Sequence, residues 1–170
     1  MRTEKISPIS FGIRPDLMDA TKQNKKLLFD VIDKFDNYNK KLDKTVNQKI
    51  RQNTFYDITE DKDGLEFRQG GFGEHKLFMN RKLANKFLKM PAEYIAKTLA
   101  KAAEIFSFDD KMFNKTCDYI NPINAKKHPK IADGLEFEND IWDVYKKHIG
   151  SAIKEEFKQD KFLAQADIDL

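Results

Sequence analysis

The chain of 170 residues holds one cysteine, Cys117, so no intramolecular disulfide can staple it. That usage points to a reducing compartment, and we expect a cytoplasmic protein. Long apolar runs are missing too. No stretch approaches the roughly 20 apolar residues that cross a bilayer, so a membrane partner is not expected. Residues 1–11 lack the apolar run of a secretory signal. Arginine is scarce, at Arg2, Arg14, Arg51, Arg68 and Arg81 only. Arginine's planar fork dominates bidentate phosphate and base recognition, so specific nucleic-acid readout is disfavoured. The three histidines, His75, His128 and His148, have neither the spacing of a helical metal face nor that of a zinc knuckle. No metal and no cofactor are expected.

Glycine is sparse outside one segment: of seven glycines, four fall within residues 64–73. That segment is the centre of the one part of the chain that does not read as helix. Tyr56 and Ile58 alternate with polar residues, as do Leu65 and Phe67, and Asp61-Lys62-Asp63-Gly64 between them is a turn. Gly64 is expected at the turn position that needs φ > 0. Gly70-Gly71-Phe72-Gly73 makes a second connection, and Lys76 to Met79 a third strand. The expected fold class is α+β: a helix-rich single domain with a small antiparallel β-meander over 54–79 and a long N-terminal amphipathic helix.

Around the meander, 1–15 reads as a flexible leader and 16–163 as the domain. The first helix is expected over 16–51, which runs without Gly or Pro. Leu28, Val31, Ile32, Phe35, Tyr38, Leu42, Val46 and Ile50 recur every three or four residues, giving one apolar stripe. Unbroken, that helix would be about 54 Å long, in a domain with a radius of gyration of about 15 Å. It must therefore project, pair or break, and Asp36-Asn37-Tyr38-Asn39 is its weakest point. A helical part is expected over 80–120, with Asn80 as N-cap, Pro91 dividing two helices, and Asp109 or Asp110 capping a third. A loop over 121–138 with Pro122 and Pro129, a helix over 139–157 and a frayed tail over 164–170 complete the layout. Phe35, Leu65, Phe67, Leu99, Phe106, Trp142, Tyr145 and Ile149 are the expected core.

Net charge is +3, but its distribution is uneven. Residues 55–80 carry 3 basic and 6 acidic groups, whereas 81–131 carry 11 and 5. Lysines cluster at Lys82, Lys86 and Lys89 and at Lys126, Lys127 and Lys130, two candidate anion-binding rows. No polar constellation converges in the sequence. The string from Gly70 to His75 lacks a P-loop lysine and runs from strand to strand, not into a helix. Glu74 and His75, being adjacent in an extended strand, point to opposite faces. The leading expectation is a non-enzymatic interaction or assembly module whose partner, or second copy, meets Leu28, Val31, Phe35, Tyr38 and Leu42. The alternatives are a non-specific nucleic-acid or anion binder using the lysine rows, and an enzyme built near 70–75 from Glu74, His75 and Cys117.

Overall fold

In the computed structural model, residues 13–42, 55–70, 75–127, 145 and 150–170 are described. Among them are four helices and a five-stranded sheet. Strand β1 is Ile13–Asp16, and helix α1 is Lys22–Leu42. The meander is β2 (Phe55–Glu60), β3 (Gly64–Gly70) and β4 (His75–Asn80). Helix α2 is Arg81–Phe87, α3 is Ala92–Lys127 and α4 is Ser151–Phe157. A 3-10 turn at Leu163–Gln165 leads into β5, Asp167–Asp169. The fold is thus the expected mixed α+β domain.

The sheet order follows the chain, β1-β2-β3-β4-β5. The expected hairpin is present in register, with Asp57 opposite Arg68 and Glu60 opposite Leu65. Two edge strands enlarge the meander. β5 pairs antiparallel with β4, placing Ile168 beside Leu77, so the C-terminal residues are sheet and not a frayed tail. β1 pairs parallel with β2, with α1 between them as the crossover that parallel neighbours require. The end of the expected leader is therefore a strand. Pro15 fits there because β1 is an edge strand, where a missing N–H breaks no ladder bond.

Pairing of Ile13–Asp16 also moves the start of α1 from the expected 16 to Lys22. Leu17 to Ala20 turn the chain, the Ala20 N–H reaching the Leu17 carbonyl at 3.1 Å. Thr21 then caps the helix, its Oγ1 accepting from the Asn24 N–H at 3.1 Å. The helix is continuous through Asn37, whose amide donates to the Asp33 carbonyl one turn back. The expected extension over 43–51 lies outside the described residues.

Gly64 does not have a positive φ, contrary to expectation. What it needs is the absence of a side chain. A Cβ at Gly64 would stand 2.0 Å from the Met79 carbonyl oxygen of the neighbouring strand. The turn itself is held by Asp61, whose Oδ1 accepts from the N–H groups of Asp63 and Gly64 at 2.8 and 3.1 Å.

Asn80 caps α2 as expected, accepting from the Leu83 N–H at 3.0 Å. The division expected near Asp109 does not occur. α3 is one helix from Ala92 to Lys127 and continues past Pro122 into the stretch expected as a loop. The run Ser107-Phe108-Asp109 contains neither Gly nor Pro, and Asp109 is engaged elsewhere, as described below. Residues 128–138, 139–144 and 146–149, with Trp142, His148 and Ile149, lie outside the description.

One face of the sheet carries the helices. On it, Tyr56, Ile58, Leu65, Phe67, Leu77 and Met79 are buried, while Glu66, Arg68, Lys76 and Phe78 on the other face are half-buried. α1 packs on α3, α2 on β3 and β4, and α3 on β3 and α4. Phe35 of α1 meets Tyr56 and Phe67 edge-on, with ring centroids 5.2 and 5.9 Å away, and joins helix to sheet.

Candidate functional site

The apolar face of the sheet ends in a polar pair. Gln69 and His75 are opposed across β3 and β4 and point into the core. α3 brings Ser107 and Asp109 above them. Gln69 Nε2 donates to Ser107 Oγ at 3.1 Å, and His75 Nε2 lies 2.9 Å from Asp109 Oδ2. The Tyr145 hydroxyl donates to the other Asp109 oxygen and lies 2.9 Å from the Asp109 main-chain carbonyl. Phe106 stacks on the His75 ring at 4.9 Å and touches Phe157 of α4 at 5.4 Å. The side chains of His75 and Asp109 are only 4% and 5% exposed.

These residue types are those of acid–base chemistry, but a general base must reach the proton it takes. Here Nε2 of the imidazole faces Asp109, and Phe106 stacks on the ring. The hydrogen bonds of this cluster join β3, β4, α3 and Tyr145, while Gln69 Oε1 is buried with no hydrogen-bond partner among the described residues. Sequence reasoning singled out His75 but paired it with Glu74 and Cys117. Glu74 lies outside the described residues, and Cys117 is in α3 with its side chain undescribed. Ser107, Asp109 and Tyr145 were missed as partners, because only the fold brings together positions 38, 34 and 36 residues apart.

A second buried network lies at the other end of the sheet. Glu60 is 3% exposed, and its Oε1 accepts from Asn24 of α1 at 2.7 Å and from Arg81 of α2 at 3.0 Å. Arg81 also donates to the Gly64 carbonyl at 3.0 Å. This network ties two helices to the hairpin and leaves Arg81 committed to structure.

The residues expected to meet a partner on α1 are placed otherwise. Leu28, Val31 and Phe35 are fully buried in this chain's own core, so they offer no surface. Tyr38 is half-buried and packs against that core. Its hydroxyl donates to Glu93 of α3, and Lys97 lies over its ring at 5.9 Å. That bond raises the Tyr38 hydroxyl above its ordinary pKa and holds the Glu93 carboxyl below the usual range. Leu42 ends α1, with its side chain undescribed. Of the anion candidates, Lys82, Lys86 and Lys89 are exposed along α2 and the turn after it. Lys126 and Lys127 fall in the last turn of α3 with undescribed side chains, and Lys130 lies outside the described residues.

What α1 does present is different. Met18, in the turn before it, is 86% exposed, and Phe29 in its second turn is 53% exposed. Lys25, one turn before Phe29, donates to the Met18 carbonyl at 3.3 Å and holds the turn against the helix. The signal for Phe29 was present in the sequence: it lies one position off the Leu28–Val31–Phe35 stripe, hence on the outer side. Among the described residues, Phe108 of α3 is the third large apolar residue with such exposure.

Among the described residues, no group of three or more His, Cys, Asp or Glu side chains could hold a metal ion, and no helix is long and apolar enough to cross a membrane. Comparison with protein-family models, curated proteins and solved structures returns no match for this chain.

Proposed function

We propose that the chain is a non-enzymatic protein-interaction module whose contact edge is the outer side of α1 and the turn before it. The observation behind this reading is the exposure of Met18 and Phe29 on either side of Lys25, beside a core that takes up the inner stripe of the same helix. Large apolar side chains in water are unfavourable by roughly 25 cal/mol per Å² of surface, and a partner that covers them recovers this. Burial of the polar residues suited to catalysis in the His75–Asp109–Tyr145 clamp supports the non-enzymatic part of this reading.

The test is copurification of partners with the full chain and with a Met18→Glu, Phe29→Glu variant. The reading expects a stoichiometric partner that the variant loses at an unchanged melting temperature. Retention of every partner by the folded variant would reject it. A second reading, binding of anions or non-specific nucleic acid, draws on Lys82, Lys86 and Lys89, which share one face by their four- and three-residue spacing. It predicts affinity for a random oligonucleotide that falls steeply with salt and is lost when these lysines become glutamine.

A further inference from the structure

We infer that the contact edge of α1 receives an acidic amphipathic polypeptide segment, with Met18 and Phe29 as the apolar seat and Lys22, Lys25 and Lys26 as the charged rim. This rests on the reading of α1 as an interaction surface and adds the chemistry of its partner. Positions three, four and seven apart share a helix face. Lys26, Lys25 and Lys22 stand at those distances before Phe29. Lys22 and Lys26 are exposed, and Lys25 leans onto the Met18 carbonyl. Between residues 17 and 29 the only acidic residue is Asp19. The first turn of α1 carries no acid of its own; the one carboxylate described against it is Glu60, which is buried beneath Asn24 and shared with Arg81. Two acids follow the seat: Asp30, beside Phe29, pairs with Lys34 at 3.5 Å, and Asp33 is exposed one turn after Phe29, so the lysine excess lies on the N-terminal side of the seat.

The seat selects among anions. Phosphates would satisfy the lysines but leave the Met18 thioether uncovered. An acidic segment with one apolar seam satisfies both, and a flexible methionine moulds to varied aliphatic and aromatic knobs. Repulsion by the lysine rim excludes a basic segment.

The experiment titrates the full chain against two synthetic amphipathic peptides that share one Leu/Phe seam, one Glu-rich and one Lys-rich on the polar side. A random single-stranded oligonucleotide serves as competitor. The Glu-rich peptide should bind at least about tenfold more tightly than the Lys-rich one. Phe29→Ser should weaken that binding by a similar factor, and Lys22→Glu with Lys26→Glu should invert the preference. Equal affinity for both peptides, still dependent on Phe29, would overturn the acidic partner while leaving the contact edge standing. No binding of either peptide, or binding indifferent to Phe29→Ser, would overturn the acidic segment; the edge itself is then judged by the partner-loss test. Full competition by the oligonucleotide would assign the lysines to nucleic acid and overturn the proposal. The substituted side chains are exposed, and unchanged melting confirms folding. If Phe29→Ser melts early, Phe29→Gln replaces it.

Discussion

At the scale of single residues, Gly64 shows how a residue can be required for a reason its local sequence does not state. Asp-Lys-Asp-Gly reads as a turn with a left-handed glycine, yet the glycine is needed because β4 passes too close for a Cβ. Relieving a 2.0 Å contact with backbone means moving a strand. Gly64→Ala should therefore destabilise by about 2 kcal/mol, the range of a local packing clash. Urea unfolding measures this, and an unchanged midpoint would remove the close approach. A second residue-scale outcome concerns pH. The Tyr38 hydroxyl stabilises the Glu93 carboxylate, so the folded-state value of Glu93 is depressed. Its favourable contribution is present above the ordinary carboxylate range and is lost as pH falls through the depressed value. Tyr38→Phe should shift the Glu93 titration upward, as followed by carboxyl NMR. An unmoved titration would show that Lys97, and not Tyr38, dominates.

At the scale of elements, the His75–Asp109–Tyr145 clamp decides how α3 and the residue at 145 dock on the sheet. Removing its central carboxylate takes the Asp109 side-chain partner from the buried imidazole and leaves the Tyr145 hydroxyl the Asp109 main-chain carbonyl alone of its two Asp109 acceptors. Asp109→Ala should cost about 2–4 kcal/mol, read by chemical denaturation, whereas Lys101→Ala on the same helix should cost less than about 0.5 kcal/mol. Equal losses would show that the clamp contributes nothing specific. The meander, α2 with its Asn80 cap, and the buried face of α3 were readable in the sequence because their signals are local: alternation, a capping residue, a spacing of three and four. The edge strands were not. β1 and β5 are short, contain Pro15 or two aspartates, and exist through pairing with distant neighbours. The clamp was invisible for the same reason: Asp109, read from its neighbours, is a helix cap, and only packing shows that it is a buried acceptor. The run through Ser107 and Asp109 likewise offered capping residues that tertiary contacts claimed first.

At the scale of the whole molecule, the parts form a two-layer arrangement with the helices on one face of a mixed sheet. Its edges are protected against further pairing, β1 by Pro15 and β5 by its brevity and its aspartates. Strand addition at these edges is therefore disfavoured. The periodic stripe on α1 told truly which side is apolar but not what covers it, since the pattern is the same whether the cover is a partner or the chain's own sheet. In the function proposed above, the outer side of α1 touches another protein. The most direct measurement replaces Phe29 with a photo-reactive phenylalanine analogue, illuminates the protein in its native cells and weighs the products. As control, the same analogue is placed at the exposed Gln165. The expected outcome is a discrete heavier adduct from position 29 and none from position 165. Only uncrosslinked chain at position 29, or the same diffuse products from both positions, would contradict it.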